Sequence, residues 1–246
     1  MVVNIVNVPE RNVSWMRQCE SQKAKQAKKQ RMLRCLASLT LVFFLMNINV
    51  SYATNDTETW VVLGDSISAG YGIPDGKGWV SLFQKKLNAS AHSIHIVNES
   101  ISGDTTAGGL ARLPELLVRL TPDVVIIELG GNDGLRGLSL KAMADNLSEM
   151  ITLCQSRDIR VLLLGMKTLP NYGRKYGALF ESVFSTVAKQ YQVSLLPFLL
   201  EGVGGYQKHM QNDRVHPNSD GQELLVENVW AFVEPVIKAR KDVGKI

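Results

Sequence analysis

Cysteine is nearly missing from most of this chain. Of Cys19, Cys35 and Cys154, only the last falls after residue 53. Residues 54–246 therefore cannot form an internal disulfide in any compartment. Histidine is scarce too, with four in all, and no cysteine or histidine spacing fits a zinc site. The phosphate-binding loop ending in Gly-Lys-Ser/Thr, the dinucleotide fingerprint GxGxxG and the nucleophile elbow GxSxG are all absent. After residue 54 there is no internal repeat, linker or low-complexity tract, so one domain is the economical reading. Nor is there a basic surplus in that stretch. The whole chain carries +4, but eight of its 27 lysines and arginines and two of its 23 acids precede Thr54, leaving 19 bases against 21 acids. Nothing in that stretch resembles the clustered basic face of a nucleic-acid binder.

The first 53 residues have a different composition. Arg17, Lys23, Lys25, Lys28, Lys29, Arg31 and Arg34 are followed by the apolar stretch Leu36–Val50, and Ser51-Tyr52-Ala53 places small residues where a signal peptidase reads. That order predicts an export signal cleaved before Thr54. Its apolar stretch is shorter than the roughly twenty residues that span a bilayer, which argues against a retained anchor. Met32 opens a compact signal of its own, so residues 1–31 are either an upstream extension or a long basic region. The expected organisation is an N-terminal extension with signal peptide over 1–53 and one domain over 54–246.

Within that domain the chain is organised around WVVLGDSISAGYG, Trp60–Gly72. Four apolar residues without alternation, ended by glycine, predict a strand buried on both faces over Trp60–Leu63. Apolar spacing then predicts helices over Trp79–Leu87, Gly108–Leu120, Leu140–Cys154, Tyr176–Tyr191 and Gly221–Ile237. The intervening strands are Ser93–Val97, Val124–Leu129, Arg160–Gly165 and Val193–Leu196, and Leu199–Met210 reads as a glycine-rich loop. Alternation of this kind makes an α/β fold with a five-stranded parallel sheet covered on both faces.

The unusual polar clusters each follow a predicted strand: Gly64-Asp65-Ser66, Ser102-Gly103-Asp104, Gly130-Gly131-Asn132-Asp133, and Asp213 to Asn218. In a parallel sheet these positions share one edge. Ser66 is the candidate nucleophile, and it requires a base, an orienting group and oxyanion donors. His92 and His95 belong to the opposite edge. His216 is favoured over His209 as base, because Pro217 holds it in a turn that brings Asp213 to Nδ1 and leaves Nε2 pointing outward. Asp65, Asp104 and Asp133 compete with Asp213 as orienter, but each also suits the plainer task of satisfying loop amides. The Ser66 N–H at a helix start, the Gly103 N–H and the Asn132 side-chain amide are the expected oxyanion donors.

GDS, SGD, GGND and DxxHPN are weak signals singly and a strong one in this order. With these residues the chain resembles the SGNH (GDSL-type) hydrolase superfamily, whose four named residues fall on Ser66, Gly103, Asn132 and His216. It is most similar to the periplasmic thioesterase I, lysophospholipase and arylesterase group, through GDSISAGYG, NESISGDTTAGGLARLPELL, ELGGNDGLRG, LPNYGRKY, LLPFLLEGV and HPN. The resemblance implies a three-layer α/β/α sandwich with a flavodoxin-like sheet and no metal or organic cofactor. It also implies an acyl-enzyme on serine during hydrolysis of acyl esters and thioesters. Pro170, Asn171 and Tyr172 are expected to line the acyl site. The glycine-rich segments Gly72–Gly78 and Gly202–Gly205 depart from the group's pattern and bear on acyl-chain preference.

The expected protein is an exported, periplasmic or secreted monomer acting on small acyl esters or thioesters, lysophospholipids included, with no nucleic-acid partner and no membrane span in the mature chain. Two rivals stand beside it. A carbohydrate acetylesterase would favour aromatic and polar groups around the cleft, and a non-catalytic binding protein would not be labelled by a fluorophosphonate.

Overall fold

The computed structural model describes residues 57–90 and 92–243, together with the isolated positions 22, 28 and 29. The chain divides into two units, Met1–Thr54 and Asn55–Ile246, and the sheet lies wholly in the second. The apolar stretch Leu36–Val50, the start at Met32 and the cleavage point before Thr54 lie outside the described residues.

Strand β1 runs Glu58–Gly64, and Trp60, Val61, Val62 and Leu63 within it are fully buried. It extends beyond the four apolar residues because both ends pair, Glu58 with Ile94 on one side and Gly64 with Glu128 on the other. The other strands are β2 (Ile94–Asn98), β3 (Val124–Glu128), β4 (Arg160–Leu164) and β5 (Ser194–Leu196), all parallel, in the order β2-β1-β3-β4-β5. Chain direction across the sheet reverses at β1. A crossover between parallel strands is right-handed, so the reversal puts the connecting helices on opposite faces. Accordingly, α2 (Trp79–Ala89), between β1 and β2, packs with α7 (Ser219–Val243). Helix α3 (Thr106–Leu120) packs with α5 (Leu140–Gln155), and α5 with α6 (Arg174–Tyr191). The result is the α/β/α sandwich.

Each helix buries one stripe against the sheet. In α2 it is Trp79, Val80, Phe83 and Leu87; in α5 it is Met143, Leu147, Met150, Ile151 and Cys154. Each large side chain so buried contributes about 1.5–3 kcal/mol relative to exposure. Burial also pushes the Cys154 thiol up to about 12, so it behaves as a small core residue and not as a nucleophile.

Several boundaries differ from those expected. Helix α3 starts two residues early, at Thr106, because the Thr105 hydroxyl caps Gly108 N–H and Asp133 holds Thr106. Helix α7 starts two residues early, at Ser219, and continues past Ile237 to Val243. Two short helices complete the fold: α1 (Ser66–Ala69), at the helix start expected at Ser66, and α4 (Gly131–Leu135), for which no helix was expected. These two carry the site.

Candidate functional site

The site lies where the strand order reverses, between the carboxyl ends of β1 and β3, the place at which open α/β sheets gather their ligands. Asp65 leaves β1 and caps α1, its Oδ1 accepting the Ile67 N–H at 3.0 Å. Ser66 thereby becomes the first residue of a helical turn.

That turn is clamped from beneath. Glu128, the last residue of β3 and fully buried, accepts the Ser68 hydroxyl at 2.6 Å and the Asp65 N–H at 3.3 Å through Oε2. From the other side, the Asn98 amide of β2 donates to the Ser68 carbonyl at 2.8 Å. Burial, reinforced by the nearby Asp65 charge, pushes the Glu128 carboxyl well above its ordinary value and so favours its neutral form.

The Ser66 hydroxyl lies 2.8 Å from His216 Nε2, and His216 Nδ1 lies 2.7 Å from Asp213 Oδ2. Asp213 Oδ1 also accepts the backbone N–H groups of Val215 and His216, at 2.9 and 3.0 Å. Partial burial works against the Asp213 charge, but the His216 backbone and ring and the Val215 N–H outweigh it and bring the carboxyl down to about 2. An ionised Asp213 fixes the proton on Nδ1 and leaves Nε2 to accept from Ser66. The loop is closed by an antiparallel bridge between Met210 and Pro217 and by the Gln211 N–H donating to the His216 carbonyl at 2.7 Å. The Tyr71 ring covers the imidazole, with centroids 4.6 Å apart. Asp213 thus serves His216 and not His209, whose Nδ1 is buried without a hydrogen-bond partner. His92 packs toward Trp230 and His95 lies within β2, both away from Ser66.

Asn132 is the second residue of α4. Gly130 leads into it with φ 111°, where a side chain would be strained and a Cβ would meet Met143 and Phe184 at 2.8 and 3.0 Å. The Asn132 amide donates to Asp65 Oδ2 at 3.0 Å, which leaves its second hydrogen for a ligand. Asp65 is thus a double brace, capping the Ser66 turn and holding the Asn132 amide. Burial raises its carboxyl to about 6 against those hydrogen bonds. Gly103 sits in the loop after β2 at φ 82°, and its carbonyl accepts from Arg136 at the end of α4, 2.7 Å away. Neither the Gly103 N–H nor the Ser66 N–H has an acceptor among the described residues.

Ser66 and Asn132 open onto a cavity of about 730 Å³, with Ile67, Leu135, Met166, Leu169, Phe198 and Leu200 on its wall. Pro170, Asn171 and Tyr172 lie on the same wall as a 3₁₀ turn, tied down by the Tyr172 hydroxyl donating to the Leu135 carbonyl at 2.7 Å. Gly103 is not on that wall. A separate depression of about 570 Å³ between α5 and α6 is edged by Ser148, Glu149, Thr152 and Gln190 and holds no comparable arrangement.

The profile of the GDSL-like lipase/acylhydrolase family matches residues 62–224, from the middle of β1 into α7. The chain belongs to that family. The matched span holds every residue of the site just described. Esterase TesA of Pseudomonas aeruginosa is 48% identical over 73% of this chain and 90% of its own length. The thioesterase 1/protease 1/lysophospholipase L1 of Escherichia coli K12 is 36% identical over 79% of this chain and 92% of its own. The crystal structure of AlinE4, an SGNH-hydrolase family esterase, superposes with a TM-score of 0.62 at 38% identity, covering 75% of this chain and 97% of that one. Like these relatives, this family member is a hydrolase of ester bonds.

Sequence reasoning did not single out Glu128, and it weighed Asp65 as an orienter of the base or a loop-amide acceptor but not as the brace for Asn132. The signal for Glu128 was present, since it is the one acid in the apolar run VVIIEL, Val124–Leu129.

Proposed function

We propose that this hydrolase is an exported serine esterase acting on acyl esters and thioesters, lysophospholipids among them. The observation carrying this reading is the unbroken chain from the Ser66 hydroxyl through His216 to Asp213, at 2.8 and 2.7 Å. Ser66 attacks the acyl carbonyl while His216 Nε2 takes its proton, and Asp213 stabilises the imidazolium that results. Negative charge developing on the carbonyl oxygen is met by the Ser66 and Gly103 N–H groups and the free hydrogen of Asn132. His216 then returns the proton to the leaving oxygen or sulfur. A water molecule, deprotonated by the same imidazole, releases the acid from the acyl-enzyme.

The apolar wall favours an acyl chain over a sugar, since a carbohydrate acetylesterase would need polar and aromatic groups where Ile67, Leu135, Met166 and Leu169 stand. The substrates named for the Escherichia coli relative, a thioesterase and lysophospholipase, lie on the same side of that choice. Export is supported by the basic and apolar segments preceding Ala53. No helix among the described residues is long and apolar enough to cross a membrane.

The test is stoichiometric labelling of Ser66 by a fluorophosphonate, with hydrolysis of p-nitrophenyl esters of graded length abolished in Ser66→Ala. Labelling at another residue, or none, would leave a binding protein on this scaffold. N-terminal sequencing of exported material should begin at Thr54; a start well before it would refute the cleavage.

A further inference from the structure

Arg214 occupies an unusual position. Among the described residues four non-glycine residues have φ in the left-handed region, and three of them follow helices: Thr121 after α3, Asp158 after α5 and Gln192 after α6. Arg214, at φ 59°, is the exception, since it sits inside the turn between Asp213 and His216. Glycine would take that backbone without strain, yet the turn holds a long cation.

The side that Arg214 occupies is defined by the chemistry. His216 must protonate the departing oxygen or sulfur, so the leaving group lies on the His216 side of the scissile bond. Only Val215 separates Arg214 from His216, which keeps their Cα atoms within about 7 Å. Arg214 lines the cavity and is exposed to solvent. The other cation on the wall, Lys167, is already engaged, 3.7 Å from Glu201 and over the Phe198 ring at 4.6 Å. Among the described residues no ion pair ties Arg214. The nearest acid in sequence, Asp213, is committed to His216 and to two backbone N–H groups.

We propose that Arg214 recognises a phosphate-bearing leaving group, so that the enzyme discriminates in favour of acyl groups carried on anionic phosphates. This rests on the serine-esterase reading above. A guanidinium offers two parallel N–H donors to phosphate oxygens, which suits it to this task better than a lone ammonium. Two sources share this chemistry: the nucleotide end of a thioester carrier and the headgroup of a lysophospholipid.

The experiment holds the acyl chain constant and varies only the leaving group: octanoyl-CoA, octanoyl lysophosphatidylglycerol and uncharged monooctanoylglycerol. The readout is the ratio of kcat/KM for each anionic substrate to that for the neutral one. Any distortion of the Asp213–His216 turn affects all three and cancels. In Arg214→Gly, which fits the backbone, one or both ratios should fall about tenfold at low ionic strength, the scale of one charge-assisted hydrogen bond at a solvated rim. Arg214→Lys should retain most of each ratio. A fall confined to octanoyl-CoA identifies the carrier, and one confined to the lysolipid identifies the headgroup. Ratios unchanged in Arg214→Gly, or lost equally in Arg214→Lys, overturn the proposal. If the wild-type protein shows no Ser66-dependent hydrolysis even of monooctanoylglycerol or a p-nitrophenyl ester, the serine-esterase reading falls first and takes this one with it.

Discussion

Replacing Glu128 tests whether the nucleophile's turn is held by a neutral acid. The side chain is fully buried, and its Oε2 accepts from the Ser68 hydroxyl and the Asp65 N–H. Glu128→Ala strands both donors away from water at about 1–3 kcal/mol each and leaves a void, for a total of about 3–6 kcal/mol. That is a large share of a typical domain's 5–15 kcal/mol. Because both donors flank Ser66, turnover should fall as well. Glu128→Gln is different, because its carbonyl accepts as Oε2 does and its amide takes the place of Oε1, which has no hydrogen-bond partner among the described residues. It should fold and turn over nearly as wild type.

The pH dependence separates this from mere tolerance of an isostere. Burial raises the folded-state value of Glu128, so the fold binds a proton that the unfolded chain releases. Its stabilising effect is complete below the unfolded value near 4.5 and declines as pH rises toward the folded one. Glutamine has no such slope. Melting temperatures measured between pH 5 and 8 should therefore show Glu128→Gln gaining on wild type as pH increases. A difference that stays flat across that range, or a glutamine variant as damaged as the alanine one, would refute a protonated Glu128.

Asn132→Ala removes one oxyanion donor and should lower kcat about 100- to 1000-fold with little change in KM; a loss under about threefold would return Asn132 to a structural role. Asp213→Asn places an amide against Nδ1, forces the proton onto Nε2 and should cost about 10⁴-fold in kcat, measured on a p-nitrophenyl ester. The Asp213 carboxyl, lowered from 3.8 to about 2, contributes stability that is complete above pH 3.8 and lost as pH falls through about 2. Acid titration by circular dichroism should show that loss in wild type and not in Asp213→Asn. Gly130→Ala, at φ 111° and against Met143 and Phe184, should lower stability by about 1–3 kcal/mol in urea melts.

The centre of the sheet was legible because β1, β3 and β4 are buried on both faces. An unbroken run such as VVIIE in β3 has no competing periodicity, and the helices between show one apolar stripe each. Strand order was not legible, because it depends on which strands pair, and pairing involves residues far apart in sequence. Helix ends were misjudged where the cap comes from elsewhere. Thr106 begins α3 because Asp133, 27 residues on, holds its N–H and hydroxyl. Local reading sees the Thr105 cap but not that reach.

The same distinction runs through the site. Ser66, Asp213, His216 and Asn132 could be nominated because each sits in a short polar cluster after a strand, where polarity has no structural excuse. Asp65 and Glu128 escaped for the opposite reason: their partners are the site's own backbone and amides, so their task shows only when β1 and β3 are side by side. Asp65 Oδ2 reaches Asn132 across 67 positions and Glu128 reaches Ser68 across 60. Two carboxyls this close under one serine would repel if both were charged, and burial raises both. The Ser66 turn thus rests on a Glu128 that burial and the neighbouring Asp65 charge drive toward its neutral form, whereas Asp213, at the solvated rim, acts by staying charged. Two carboxyls near the same hydroxyl, Glu128 and Asp213, are thus driven in opposite directions, and their surroundings decide which way each goes.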